Sequence, residues 1–92
     1  MGELLLTNRA KQDLAALPPI LQQAVLDILT LLEVRPEELG KELRGRLRGL
    51  WSCRVGNYRI LYTIGEKGGE SRVIVRAVRH RAIAYKRRRR RS

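Results

Sequence analysis

The hydrophobic positions of this chain change period along its length. Glu3-Leu4-Leu5-Leu6 is a short apolar run that predicts a strand. A helix starts at Thr7 or Asn8, both good N-caps. Ala10, Leu14 and Leu17 then fall at i, i+4 and i+7 and form one apolar stripe. Pro18-Pro19 stops that helix, because a proline disfavours helical geometry in the residue before it. The second proline can serve as the first turn of a new helix. Ile20, Leu21, Ala24, Val25, Ile28, Leu29, Leu31 and Leu32 give this second helix a broad apolar face, and Pro36 ends it. The pattern predicts a helical hairpin with a tight Pro-Pro corner.

From Arg35 to Gly49 the chain is polar and broken by Gly40, Gly45 and Gly49, which predicts a loop with one helical turn at Glu37 to Leu43. The rest reads as β-structure. Leu50 to Val55 and Tyr58 to Ile64 flank Gly56-Asn57, a two-residue hairpin signal. A looser turn spans Gly65 to Glu70, and Arg72 to Arg79 forms a valine-rich third strand. The order β-α-α-β-β-β predicts an α+β fold: an N-terminal strand, a helical hairpin, then a mainly antiparallel sheet with the helices on one face.

Length and composition narrow the class. At 92 residues with 43% apolar positions, the chain is expected to form one globular domain over residues 1–85, followed by a basic tail over residues 86–92. Cys53 is the sole cysteine and His80 the sole histidine, so no intrachain disulfide and no three- or four-ligand zinc site can form from those residue types. No cofactor or metal is expected. No signal-peptide pattern opens the chain, and the apolar stretch Ile28 to Leu32 is far below the roughly 20 residues that span a bilayer. The expectation is a cytoplasmic protein with no membrane partner.

Charge is distributed unevenly. Residues 1–42 carry four basic and seven acidic side chains, whereas residues 43–92 carry sixteen basic and two acidic ones. Six of those bases lie in the terminal run Lys86 to Arg91. The resulting field attracts polyanions, nucleic acid foremost.

The hairpin register follows by hand. A two-residue loop at Gly56-Asn57 pairs Val55 with Tyr58, Arg54 with Arg59, Cys53 with Ile60, Ser52 with Leu61 and Trp51 with Tyr62. Side chains alternate faces, so Trp51, Cys53, Val55, Tyr58, Ile60 and Tyr62 should share the core face. Arg54 then stands opposite Arg59 on the other. Like charges so placed cost about 0.2–1 kcal/mol, and an anion between them would offset that. Arginines on an outer sheet face are also commonly solvated, so the pair alone leaves both readings open. The third strand adds Arg79-His80-Arg81, with Tyr85 four residues on. Parity does not decide whether His80 or Arg81 shares the Arg54/Arg59 face, because both sets on this strand contain apolar residues.

Such groups suit metal-free RNA cleavage by attack of a 2′-OH. That reaction needs cations on the phosphate oxygens, together with groups that take and give protons. Arginine provides a planar clamp, and His80 is the residue type that titrates near neutrality.

These residues resemble the RelE/ParE toxins of type II toxin–antitoxin systems. The resemblance rests on Lys41-Glu42-Leu43-Arg44-Gly45, on Arg54-Val55-Gly56-Asn57-Tyr58-Arg59-Ile60-Leu61-Tyr62, and on His80-Arg81 followed by Tyr85. It implies a RelE-like microbial ribonuclease fold. For the RelE-like branch it implies an endoribonuclease cleaving mRNA in the ribosomal A site, neutralised by an acidic RelB-like antitoxin. ParE-type members share the fold and poison DNA gyrase, and a non-catalytic RNA- or ribosome-binding protein is a further alternative. Carried over, the catalytic set is Arg54, Arg59, Arg81 and Tyr85. A basic position of the cleaving type falls near Ser52, which is not basic, and His80 is the substitute for proton exchange. Lys41, Arg44, Arg46, Arg48, Lys86 and Arg87 are expected to contact ribosomal RNA, where phosphate contacts position rather than specify.

Overall fold

The computed structural model describes residues 2–82. Strand β1 (Glu3–Leu6) leads into α1 (Asn8–Ala15), α2 (Pro19–Val34) and the single turn α3 (Pro36–Leu39). Strands β2 (Lys41–Glu42), β3 (Leu50–Val55), β4 (Tyr58–Lys67) and β5 (Glu70–His80) follow, with a 3-10 turn at Gly45–Leu47 between β2 and β3. The five strands form one sheet in the order β1-β5-β4-β3-β2. Among the described residues only the β1–β5 pair is parallel: the helices carry the chain from β1 to the far edge at β2, and antiparallel steps through β3 and β4 bring β5 back beside β1.

The core lies between one sheet face and the helices. Ala10, Val25, Leu29 and Leu32 from α1 and α2 meet Cys53, Ile60, Tyr62, Val73, Val75 and Val78 from the sheet. Thr7 caps α1 by accepting from the Ala10 N–H at 3.1 Å. Its own N–H donates to the Val75 carbonyl and its hydroxyl to that of Arg76, so one residue starts the helix and fixes it to β5. At the Pro18 corner, the Gln22 side-chain amide donates to the Leu14 carbonyl and ties the hairpin together.

The β3–β4 register matches the pairing expected from sequence at all five positions. Gly56 takes a positive φ of 61° while Asn57 does not, the sign pattern of a type II′ turn, whose twist suits a hairpin. The second turn is tighter than expected. Gly68-Gly69, both at positive φ, close a two-residue loop, so β4 runs on to Lys67 and β5 begins at Glu70. The segment expected to be loop contains the edge strand β2, which two residues of polar sequence do not announce.

Strand β2 is held from several sides. The Tyr62 hydroxyl, buried under the helices, donates to the Pro36 carbonyl at 2.6 Å. Gly40 passes so close to this phenol that a Cβ there would collide with it and lie 2.9 Å from the Ser52 carbonyl oxygen. Beyond the strand, the Leu43 N–H donates to Leu50 and the Gly49 N–H to the Glu42 carboxylate.

Strand β5 carries a bulge. Leu61 pairs with Ala77 but Tyr62 pairs with Val75, leaving Arg76 without a partner on β4. The extra residue reverses the side-chain parity: Val73 and Val75 face the helices before it, and Val78 does so after it. Among the described residues, no helix is long and apolar enough to cross a membrane.

Candidate functional site

The bulge decides what stands on the helix-free face. Arg54 pairs with Arg59, and Arg59 pairs in turn with Arg79, so three arginines form one row across β3, β4 and β5. Arg54 is exposed, while Arg59 and Arg79 are half-buried. Arg59 reaches along the sheet, and its Nη1 donates to the Ser52 hydroxyl at 3.1 Å. Ser52 is buried, so the hydroxyl anchors the guanidinium rather than meeting solvent. The Arg79 Nε is shielded from solvent and has no hydrogen-bond partner among the described residues. A polar N–H in that position is costly unless an acceptor arrives, and a phosphate oxygen is a strong acceptor for a guanidinium.

Arg79 takes the place in the row that the family resemblance assigns to Arg81. The available signal is the adjacent apolar pair Ala77-Val78, where the alternation set by Val73, Val75 and Ala77 breaks and Arg79 falls out of step with it. Arg81 is exposed just beyond β5, and its backbone N–H donates to the Asn57 carbonyl at 2.8 Å. That bond fixes the strand end against the β3–β4 turn, one step beyond the arginine row.

His80 is placed differently from the arginines. It pairs with Tyr58 on the face that carries the helices, with the two rings edge to face at 5.1 Å. Its Nδ1 accepts from the Ala82 N–H at 3.1 Å. The imidazole therefore shapes the chain after β5 from the opposite side of the sheet to the row. Tyr85, Lys86 and Arg87, with the rest of the tail and the expected domain boundary, lie outside the described residues.

The expected RNA contacts separate into two groups. Lys41 pairs with Ser52 and so stands on the arginine face, one row away. Arg44, Arg46 and Arg48 lie on the exposed turn between β2 and β3, where Leu47 is also exposed.

Among the described residues, Cys53 and Tyr62 have perturbed acidity, and both belong to the core. Burial raises the Cys53 thiol. Burial, reinforced by the charge of Cys53, pushes the Tyr62 phenol up to about 12. Among the described residues, no cluster of three or more His, Cys, Asp or Glu could hold a metal ion.

Residues 4–85 match the family described as the ParE toxin of type II toxin–antitoxin systems, parDE. Toxin RelG of Mycobacterium tuberculosis is 39% identical over 82 residues, covering 88% of this chain and 92% of that protein. Toxin RelE of the same organism is 35% identical over 82 residues, 88% of this chain and 82% of its own length. The RelBE2 toxin–antitoxin complex of M. tuberculosis contains a chain 36% identical, with a TM-score of 0.78 over 87% of this chain and 98% of that one. A chain of the intact Escherichia coli RelBE complex shares the fold, with a TM-score of 0.70, 20% identity and coverage of 87% and 96%. The chain belongs to the RelE/ParE superfamily of type II toxin–antitoxin toxins.

Proposed function

We propose that this toxin is a RelE-like, ribosome-dependent endoribonuclease that cleaves mRNA in the A site by metal-independent attack of the 2′-OH on the adjacent phosphate. The supporting observation is the row Arg54–Arg59–Arg79 on a sheet face that carries no helix. In this reading the three guanidiniums hold the scissile phosphate and stabilise the charge that builds on its non-bridging oxygens during in-line displacement. Such charge-assisted contacts act most strongly where water is excluded, as around the half-buried Arg59 and Arg79.

Arg81 is the flanking cation in this reading, positioned by the Asn57 carbonyl. Tyr85 stacks on or orients the substrate, a role that rests on the family resemblance alone. His80 stands on the other face, which favours a part in holding the strand end over direct contact with a phosphate in the row. Proton exchange then falls to solvent, ribosomal groups or Tyr85. Arg44, Arg46, Arg48 and the basic tail contact ribosomal RNA. An acidic, RelB-like antitoxin neutralises the toxin; relatives of the RelE type are known in complexes with RelB. The cytoplasm, where ribosomes are, is the site of action.

A ParE-like reading, with DNA gyrase as target, is the alternative, and the family match over residues 4–85 favours it. Primer extension on translated messages after brief induction separates the two. New 5′ ends inside coding sequences, lost in Arg59→Ala, support the ribonuclease. Intact messages with stalled gyrase–DNA complexes support the alternative.

A further inference from the structure

We infer that Lys41 belongs to the substrate site itself and forms a second phosphate subsite beside the arginine row. The inference rests on the proposed reading of this face as an RNA site. Lys41 pairs directly with Ser52, so their side chains share the helix-free face. Ser52 and Arg54 are two residues apart on one strand, which separates the Lys41 row from the arginine row by roughly 7 Å. That is close to the step between successive phosphates of a nucleotide chain. Arg59 spans the gap, since its Nη1 reaches Ser52 at 3.1 Å. A strand of RNA whose scissile phosphate lies on Arg54, Arg59 and Arg79 therefore brings a neighbouring phosphate to the ammonium of Lys41.

The support beneath Lys41 fits this role. Edge strands of two residues are usually free to fray, yet β2 is fixed by the close passage of Gly40 against Tyr62, and by the Tyr62–Pro36, Leu43–Leu50 and Gly49–Glu42 hydrogen bonds. Glu42 faces the opposite side of the sheet, paired with Trp51, so it does not neutralise Lys41 across the row. Lys67, by contrast, pairs with Glu70 at the far end of the β4–β5 hairpin and serves as a charge-matched control.

The test measures binding of a trinucleoside diphosphate to the isolated toxin, with the attacking 2′-OH removed. Either of its two phosphates is replaced in turn by a neutral methylphosphonate. The wild type and Lys67→Ala are expected to lose about tenfold in affinity at each replacement, as suits a charge-assisted contact. Lys41→Ala is expected to start about tenfold weaker and to respond to one replacement only. Its salt dependence should be shallower by about 0.7 in log–log slope, one phosphate contact on a single strand. A Lys41→Ala protein sensitive at both positions overturns the subsite, as does a wild type sensitive at neither. Cleavage on ribosomes is read in parallel: cleavage without the Lys41 pattern removes this inference alone, and the pattern without cleavage removes the ribonuclease reading and leaves a phosphate site.

Discussion

Arg59 and Arg79 face each other directly across β4 and β5, on the sheet face away from the helices. Two guanidiniums in that relation repel, by about 0.2–1 kcal/mol for a directly opposed pair. With Arg54 opposite Arg59 the repulsion is repeated on the other side. In the proposed reading, this repulsion is the stability given up for the binding of a phosphate.

Arg79→Thr replaces a half-buried cation with a good strand former and relieves one repulsive pair. Urea denaturation should show stability unchanged or raised by up to about 1 kcal/mol. Binding of single-stranded RNA by the same protein should weaken at least tenfold, as expected for the loss of a charge-assisted contact of about 1.5–3 kcal/mol. A variant that is destabilised and still binds RNA normally would make Arg79 a structural residue.

Tyr62 links the core to the site, because its hydroxyl holds Pro36 and so the approach to β2. Tyr62→Phe leaves a buried carbonyl without its partner and should lower stability by about 1–3 kcal/mol at neutral pH. The wild-type phenol also sets a pH dependence. Its pKa rises from 10.0 to about 12 on folding, so the protonated form is favoured in the native state. The stability this represents is fully present below pH 10 and is lost as pH rises from 10 towards 12. Denaturation followed across that window should fall less steeply for Tyr62→Phe than for the wild type. Parallel curves would show that the phenol does not titrate between the two states.

Past the end of β1, strand β5 would be an open edge, and Asp13 of α1 covers it by accepting the Val78 N–H at 3.0 Å. Open edges invite pairing with other chains. Asp13→Ala should cost about 1–2 kcal/mol and speed hydrogen exchange at the Val78 amide more than at Ile60 in the middle of the sheet. Equal effects at both amides would argue for global destabilisation instead.

The sequence carried the hairpin plainly. Gly56-Asn57 and the alternation on either side defined a register that the structure reproduces, and with it the Arg54–Arg59 pair. The helical hairpin was equally legible from its prolines and its 3.6-residue period. Strand β2 was not, since its pairing comes from tertiary contacts of Gly40 and Pro36 with Tyr62 rather than from local preference. Arg79 was not legible either. A bulge at Arg76 moves every later side chain of β5 to the other face, and strict alternation has no place for an extra residue. The same shift put His80 on the helix side, against Tyr58.

The central claim is that the arginine row holds a phosphate during cleavage of mRNA on the ribosome. Its most direct test is purified ribosomes programmed with a defined message, incubated with wild-type toxin or with Arg59→Ala and Arg79→Ala, and analysed for new RNA ends. The expected result is a cut at the A-site codon that requires ribosomes and falls by at least a hundredfold in either variant, about 2.7 kcal/mol of lost transition-state stabilisation. An intact message with wild-type toxin, or equal cutting by both arginine variants, would contradict it.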